Sequence, residues 1–404
     1  MYIKKINLSM NKILFFMILL VSIIQGHTNV PTYIYNIIYL MVFLIGITVI
    51  LCTHKKLFIN TEILIFSILI LLLTLLTTVF ARGYFSLLSA VKGLTSFYIF
   101  VGITFIFLSY DKYAEEYWKM INMLAQFAIF LVIIQSVLYY SLDFKLHLLP
   151  VIGNCFFRAF ETSSHFRPSS LFSEPSHLAE FVLLSLYYYL YIKKKFLVVF
   201  FYLLGLIFST SGLGIVGSLA LLLGYFITYS TDLKFKYQKI LVFFSKLVLI
   251  ILLFVFFWFV FMVGFESKNW LINRLISGAT VDARVLRSID IFSKIGSVEK
   301  ITGVGLQNLA NYINYHGIIS EYNNISTLQN KEYAQTLGYI LVTTGAIGFA
   351  VFMSVWIKLI CKGDKKVRII TLLFLFVCLV SNVLTRAIFI VYLVQVLGFV
   401  KRDK

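Results

Sequence analysis

Ionisable side chains crowd one short stretch of this sequence. Between positions 158 and 180 the chain places Arg158, Glu161, His165, Arg167, Glu174, His177 and Glu180. Pro168 and Pro175 restrict the backbone here, which predicts a fixed, turned path rather than a flexible linker. Glu174 lies in that turn, bracketed by Arg167 and His177, and we interpret it as a functional carboxylate. The alternative is an ion pair with a nearby Arg or Lys that only ties the segment down.

Glu180 lies inside the apolar run that follows this stretch. An ionisable group at membrane depth is costly to hold, so it is a candidate functional group by default. Pairing with a basic side chain that merely anchors the segment is an equally open alternative.

A second candidate group is a pair of arginines. Apolar residues recur at spacings of four, four and three, which predicts a helix over Val281–Lys294. Arg284 and Arg287 are three residues apart and therefore neighbours on one face of that helix. Two guanidinium groups suit a diphosphate, because Arg forms bidentate hydrogen bonds with phosphate and keeps its charge. A solvated or headgroup-binding face, with Asp290 neutralising Arg287, is the alternative.

Glycine motifs in the chain have two different interpretations. Gly303-Val304-Gly305 follows the predicted helix and permits an abrupt turn or a close backbone approach. The segment 212–217 matches G-x-G-x-x-G, but an apolar run continues on both sides of it, which favours close helix packing over nucleotide binding. The chain contains no phosphate-binding G-x-x-x-x-G-K-[ST] motif and no metal-ligand spacing, so we expect neither cofactor nor metal.

The composition places all of these residues in a membrane protein. The chain has 404 residues, of which 60% are hydrophobic and only 13% charged, with a mean hydropathy of +0.94. A soluble globule of this size cannot bury so much apolar surface. The net charge of +18 comes from Lys and Arg clusters between apolar runs, which indicates membrane topology and not nucleic-acid binding.

Apolar runs long enough to cross a bilayer predict about twelve transmembrane helices in one all-α polytopic domain covering residues 1–404. The runs are 13–27, 33–52, 63–80, 91–109, 120–141, 177–192, 196–210, 212–230, 240–263, 334–357, 368–384 and 387–400. The first resembles a secretory signal but has no small-residue cleavage site, so we expect a retained anchor.

The distribution of positive charge predicts the orientation. With the N-terminus inside, 21 Lys and Arg residues fall on cytoplasmic segments, and only Arg82, Lys92 and Arg386 fall on the short external connections. Both termini are then cytoplasmic. Two long extracytoplasmic loops, 142–176 and 264–333, carry all the candidate residues except His177 and Glu180, which lie at the start of the run 177–192.

In this arrangement the chain resembles a Wzy-type O-antigen polymerase, from the group that includes the O-antigen ligases. The similarity lies in the span pattern and in four segments: Arg167–Pro175, Phe208–Gly212, Gly303–Leu306 and Gly338–Phe349. In the family an Arg followed after fifteen residues by Gly marks the external loops, and Arg287 with Gly303 fits that spacing. At the same distance from Arg158 and Arg167 stand Glu174 and Leu183, which departs from the pattern.

The resemblance implies a GT-C-like fold in the bacterial inner membrane. It also implies an enzyme that joins undecaprenyl-diphosphate-linked oligosaccharide repeat units into O-antigen or capsular polysaccharide on the outer face. A chain-length regulator and a flippase would be partners. Glu174 and Arg287 would be catalytic, as base and diphosphate ligand, and the substrate-binding candidates are Arg158, Arg167, His177, Glu180, Arg284, Gly303 and Gly305.

Three alternatives stay open. The ligases carry a His about eleven residues before the position of Gly345, where this chain has Ala334, so polymerase is favoured over ligase. A lipid-linked oligosaccharide flippase would place polar residues and broken helices near the middle of the membrane. A noncatalytic membrane scaffold would use the paired arginines for headgroup contacts.

Overall fold

The computed structural model describes residues 2–27, 30–81, 83–110, 114–144, 146, 166–230, 286–320 and 334–402. Its helices are α1 (Tyr2–Ile24), α2 (Thr32–Cys52), α3 (Thr61–Phe80), α4 (Leu87–Leu108), α5 (Ala114–Leu142), α6 (Pro175–Tyr187), α7 (Phe196–Phe208), α8 (Gly212–Ser230), α9 (Arg287–Lys294), α10 (Ser297–Thr302), α11 (Leu309–His316), α12 (Thr336–Lys362), α13 (Lys365–Val380) and α14 (Ala387–Arg402). A π-helical turn, Tyr188–Lys193, continues α6. The described ranges contain no strand.

The chain is a helical membrane protein, as its composition predicts. Five described helices are long and apolar enough to cross a bilayer: α2, α3, α4, α5 and α12. Eleven of the twelve predicted runs coincide with helices, several of them shorter than a full span. The ninth run, 240–263, lies outside the described residues, so the count of twelve stays a prediction.

The first helix differs from its predicted bounds. The predicted run is 13–27, whereas α1 covers Tyr2–Ile24 and ends in a turn at Gln25 and Gly26. Gly26 has φ +100°, a left-handed conformation that ends a helix readily and favours glycine.

The described part of the second long loop, 286–320, contains short helices joined by turns. Within the predicted helix Val281–Lys294 the structure describes α9 from Arg287 onward, and Arg284 with residues 281–285 lies outside the described residues. Two further short helices, α10 and α11, follow α9. Arg158 in the first loop also lies outside the described residues.

Most of the chain's described Lys–Glu pairs gather at one end of the bundle, which we call the basic end. Lys12 on α1 bonds Glu116 on α5 at 3.1 Å, and Lys193 bonds Glu115 at 3.1 Å. Lys358 near the end of α12 pairs with Glu62 at the start of α3. The opposite end, which we call the loop end, carries the described residues 25–27, 30–31, 81, 83–86, 166–174, 209–211, 286–320, 334–335 and 381–386. The separation of the Lys–Glu pairs from the loop end agrees with the predicted alternation of basic and external segments along the chain.

The 212–217 segment packs helices together, as predicted. A Cβ added to Gly214 would lie 3.1 Å from the Cβ of Ala179, and one added to Gly217 would lie 2.7 Å from a methyl group of Leu183. Both of these neighbours are on α6. The glycines therefore allow α8 to approach α6 closely, the role that small residues take in membrane helices.

Helix α12 is broken at Gly345, and the second loop fills the break. Gly345 has φ +67° and ψ −176°, far from helical values. The N–H groups of Val304 and Gly305 bond the carbonyl oxygens of Val342 and Thr343 at 3.1 and 3.0 Å. The chain after α10 thus supplies donors to carbonyls next to the break.

The two backbones meet without room for a side chain on either. A Cβ on Gly345 would lie 2.2 Å from the carbonyl oxygen of Ile301, and a Cβ on Gly303 would lie 2.2 Å from that of Thr343. Backbone atoms cannot swing away as side chains can, so both glycines are required by this contact. We call it the glycine seam, formed by residues 301–305 and 342–345.

We expect Gly345→Ala to destabilise the protein by at least about 2 kcal/mol, because its backbone conformation is nearly restricted to glycine and the added methyl meets backbone atoms. Gly212→Ala is the matched control, since nothing lies within 4 Å of a Cβ there. Thermal unfolding in detergent compares the two. Equal melting temperatures for both variants would contradict the close backbone contact at the glycine seam.

Candidate functional site

The segment before α6 is fixed to three neighbouring helices at the loop end. Gln135 on α5 accepts a 2.8 Å hydrogen bond from the backbone N–H of Ser170. The Arg167 guanidinium donates to the side chain and the carbonyl of Thr210, at 3.2 and 3.4 Å, in the turn between α7 and α8. Arg167 therefore joins two of the segments on which the family resemblance rests.

The turn after α1 also holds this segment, which sequence reasoning missed. His27 bonds the Leu171 carbonyl oxygen through Nε2 at 3.1 Å. A carbonyl can only accept, so Nε2 carries the proton. Burial lowers the pKa of the His27 imidazole because it disfavours the charged form, while the bond to Leu171 acts in the opposite direction.

Gln25 in the same turn connects three further elements. Its side-chain oxygen accepts from the Tyr39 hydroxyl and from the Ala387 N–H, both at 2.9 Å, and its side-chain nitrogen donates to the Thr385 carbonyl. A polar Gln-Gly-His group directly after an apolar run is the sequence signal that could have indicated this role.

Glu174 is half-buried at the N-terminus of α6, immediately before Pro175. Its carboxylate accepts a 2.8 Å hydrogen bond from the Ser176 hydroxyl and makes no capping bond to the helix. None of the ion pairs among the described residues includes it. The described structure thus leaves the Glu174 carboxylate with one neutral hydrogen-bond donor.

His177 lies one turn of helix after Glu174. Its Nδ1 is 2.7 Å from the Ser173 hydroxyl, and both side chains pack against Gly26. A Cβ on Gly26 would lie 2.6 Å from that hydroxyl oxygen. His177 therefore helps to hold the proline-flanked turn in place.

Glu180 forms a buried ion pair with Arg386, a residue that sequence reasoning placed only in a short connection. One guanidinium nitrogen of Arg386 lies 2.7 and 2.6 Å from the two Glu180 oxygens. The Ser381 hydroxyl donates to the same carboxylate, and the Tyr392 hydroxyl donates to the Glu180 carbonyl. Glu180 is 1% exposed, which favours the anchoring alternative over direct substrate contact.

This ion pair continues into a chain of hydrogen bonds that reaches α9. The Ser381 carbonyl accepts from the N–H and the hydroxyl of Thr336, at 3.0 and 2.9 Å. The adjacent Gln335 side chain accepts a 2.7 Å bond from the Ser288 hydroxyl. We call Glu180, Arg386, Ser381, Thr336, Gln335 and Ser288 the polar network. It links α6, which begins beside Glu174, to the helix that carries Arg287.

Arg287 is buried at the start of α9. Arg287 is 5% exposed. The next residue, Ser288, packs against Gly338 of α12. A Cβ on Gly338 would lie 2.3 Å from the Ser288 side chain. Asp290, the proposed neutralising partner, forms an ion pair with Lys294 at 2.9 Å.

Gly303 and Gly305, predicted to bind substrate, contact the backbone of α12 in the structure. Gly303 belongs to the glycine seam, and the Gly305 N–H bonds a carbonyl of α12. These positions therefore support α9 and α10 by backbone contact.

A metal centre is not formed by the described residues, since no three His, Cys, Asp or Glu side chains gather there.

Comparison with known proteins gives no match to a family model, to a curated protein or to a solved structure. Function must therefore be inferred from the residues and their geometry.

We expect Glu180→Ala to cost about 3–5 kcal/mol of stability, because it leaves the mostly buried Arg386 charge unpaired. Glu62→Ala is the control, since its pair with Lys358 is partly exposed and contributes about 1 kcal/mol or less. Denaturant unfolding in lipid or detergent measures both.

The double variant Glu180→Leu with Arg386→Met should recover much of the loss, because it removes both charges together. A Glu180→Ala cost no larger than that of Glu62→Ala would contradict a buried, coupled pair.

Proposed function

We propose that this protein is a Wzy-type polymerase that joins undecaprenyl-diphosphate-linked oligosaccharide repeat units at the outer face of a bacterial inner membrane. One observation carries the proposal. The polar network connects the helix that begins beside Glu174 to the helix that carries Arg287, so the candidate base and the candidate diphosphate ligand belong to one framework at the loop end.

The reaction requires a base for the hydroxyl proton and a positive charge for the departing diphosphate. A sugar hydroxyl of one lipid-linked repeat attacks the anomeric carbon of the growing chain, and the bond from that carbon to the diphosphate oxygen breaks. Undecaprenyl diphosphate leaves with the bonding electrons, while the hydroxyl proton passes to a base. The reaction consumes no ATP, which agrees with the missing nucleotide motifs.

Glu174 suits the role of base. Its carboxylate is half-buried, accepts one neutral hydrogen bond and has no ion-pair partner among the described residues. The fixed turn around it, tied to Gln135, Thr210 and His27, keeps the carboxylate in position.

Arg287 suits the stabilisation of the departing diphosphate. A guanidinium keeps its charge when buried, and its attraction for a developing negative charge is stronger away from bulk water. The contact of Ser288 with Gly338 and Gln335 fixes α9 next to α12. Arg167 donates to Thr210 and contributes positive charge to the same end of the bundle.

A transporter is less well supported by the positions of the charged residues. Within the described helices, Asp, Glu, Lys and Arg lie within about two turns of an end, except Lys12 of α1, which pairs with Glu116 at the basic end. Glu180, the most buried of them, is five residues from the start of α6. Transporters usually place such groups near the middle of the membrane.

The ligase alternative is also weakened. Ala334, at the position where ligases carry a His, is buried just before α12. His316 packs against the rings of Tyr84 and Tyr312, with a centroid distance of 4.4 Å to Tyr312. The His316 imidazole is therefore part of an aromatic cluster and has a packing role.

Purified protein in lipid vesicles, given undecaprenyl-diphosphate-linked repeat units, tests the proposal directly. We expect longer lipid-linked chains and one free undecaprenyl diphosphate for each repeat added. Transfer of the chain to a different lipid acceptor would indicate a ligase. Translocation of the substrate without extension would indicate a flippase, and either result would overturn the proposal.

Arg287→Ala should abolish chain extension, and Arg287→Lys should rescue it poorly, because Lys keeps the charge but loses the forked geometry. Since Arg287 is buried, folding must be checked by thermal unfolding of both variants. Lys294→Ala on the same helix is the control, since its pair with Asp290 is partly exposed, and it should stay active. Full activity of a folded Arg287→Lys variant would reduce the role of Arg287 to general electrostatics.

Glu174→Gln should bind lipid-linked substrate normally but extend chains at least about a hundredfold more slowly, the lower end of what a general base contributes. Ser176→Ala removes the one described hydrogen bond to the carboxylate and should have a much smaller effect. A Glu174→Gln protein with near-normal turnover would remove Glu174 from the mechanism.

A further inference from the structure

We infer that residues 296–309, which we call the wedge, enter the bilayer from the loop end and expose the side chains of Val298 and Ile301 to lipid acyl chains. The wedge comprises α10, the Gly303–Gly305 turn and the start of α11. This inference is independent of the proposed polymerase reaction, because it concerns where a segment of the chain lies and not what the protein catalyses.

The depth of the wedge follows from its contact with α12. Lys358 pairs with Glu62, so these residues mark one level at the basic end. From Glu62 to Phe80, the end of α3, the rise is about 27 Å. From Lys358 to Gly345 it is only about 20 Å. Gly345, where the wedge meets α12, is therefore about 7 Å below the end of α3.

Helix α4 gives the same depth independently. Its end at Leu108 is level with the start of α3, because Lys401 bonds the Leu108 carbonyl and also lies over the Phe58 ring. Leu306 of the wedge packs against Gly93, 3.0 Å from where a Cβ would lie. Gly93 is about 22 Å from Leu108 along the helix. In a hydrocarbon core about 30 Å thick, both contacts lie inside the leaflet at the loop end.

The backbone of the wedge satisfies the condition for non-helical chain at membrane depth. Such chain is tolerated only where its polar groups are paired within protein. The N–H groups of Gly303, Val304 and Gly305 bond the carbonyls of Glu299, Val342 and Thr343, at 2.8 to 3.1 Å. The glycine seam therefore provides partners that water would provide in an ordinary surface loop.

The exposed side of α10 continues a lipid-facing surface. Val298 and Ile301 are 46% and 53% exposed, and α10 packs between α3 and α12. Both neighbours also expose apolar side chains, such as Leu76 on α3 and Ile347 on α12. Single exposed apolar side chains are ordinary on a water-facing surface. At the depth of the wedge, however, the surroundings that suit apolar side chains are lipid acyl chains.

The charged residues of α10 are compatible with this placement. The Glu299 carboxylate turns back toward Gly296, at the shallow end of the helix, and lies 2.3 Å from where a Cβ on Gly296 would be. Lys300 is half-buried, and its long stem can carry the ammonium group toward the headgroups.

Nitroxide labels on single cysteines measure this directly in the full-length protein in lipid vesicles. The four native cysteines are first replaced, and labels are then attached at Val298→Cys, Ile301→Cys and two reference positions. Leu76→Cys on α3 is the lipid reference, and Ser293→Cys, exposed on α9, is the water reference. Collision rates with oxygen, which concentrates in hydrocarbon, and with a water-soluble nickel chelate are compared.

At Val298 and Ile301 we expect oxygen collisions to exceed nickel collisions, as at Leu76. A nickel excess at either position, as at Ser293, would overturn the inference. A membrane-impermeant maleimide gives a second measurement: the wedge cysteines should react at least about tenfold more slowly than Ser293→Cys, because one unit of thiol pKa rise lowers the reactive thiolate tenfold. Equal rates would place the wedge in water.

Discussion

A bilayer offers no water to backbone groups, and the break in α12 has to be understood under that constraint. Gly345 interrupts the helical ladder, and the carbonyls of Val342 and Thr343 are bonded by N–H groups of the second loop. The loop cannot move away without leaving those carbonyls unpaired. The seam and the contact of Ser288 with Gly338 together hold the second loop against α12.

The polar network adds a second connection between the same parts. Burying Glu180 and Arg386 is costly by itself, and the two charges are tolerated because each is paired and hydrogen-bonded. Their neighbour Ser381 bonds Thr336 at the start of α12. The first loop, the second loop and the connection before α14 are therefore held in one arrangement.

Helix periodicity and hydropathy largely determined the fold from the sequence. Apart from α1, which begins eleven residues before its predicted run, the described helices agree with their predicted runs to within six residues, since a bilayer requires long apolar runs and few other patterns produce them. The Gly212–Gly217 segment could be assigned to helix packing because its surroundings contained no strand. The alternation of basic segments likewise predicted which ends of the helices lie together.

Tertiary structure decided what each candidate residue touches. Glu180 and Arg386 are 206 residues apart, so no local pattern could pair them, and the sequence left two roles for Glu180 equally open. The sequence predicted an abrupt turn or a close backbone approach at Gly303, but only the packing showed that the neighbouring backbone is that of α12 near Gly345. Local spacing determines which residues share a helix face, whereas the contacts between distant segments depend on how the helices pack, and that information is spread over the whole chain.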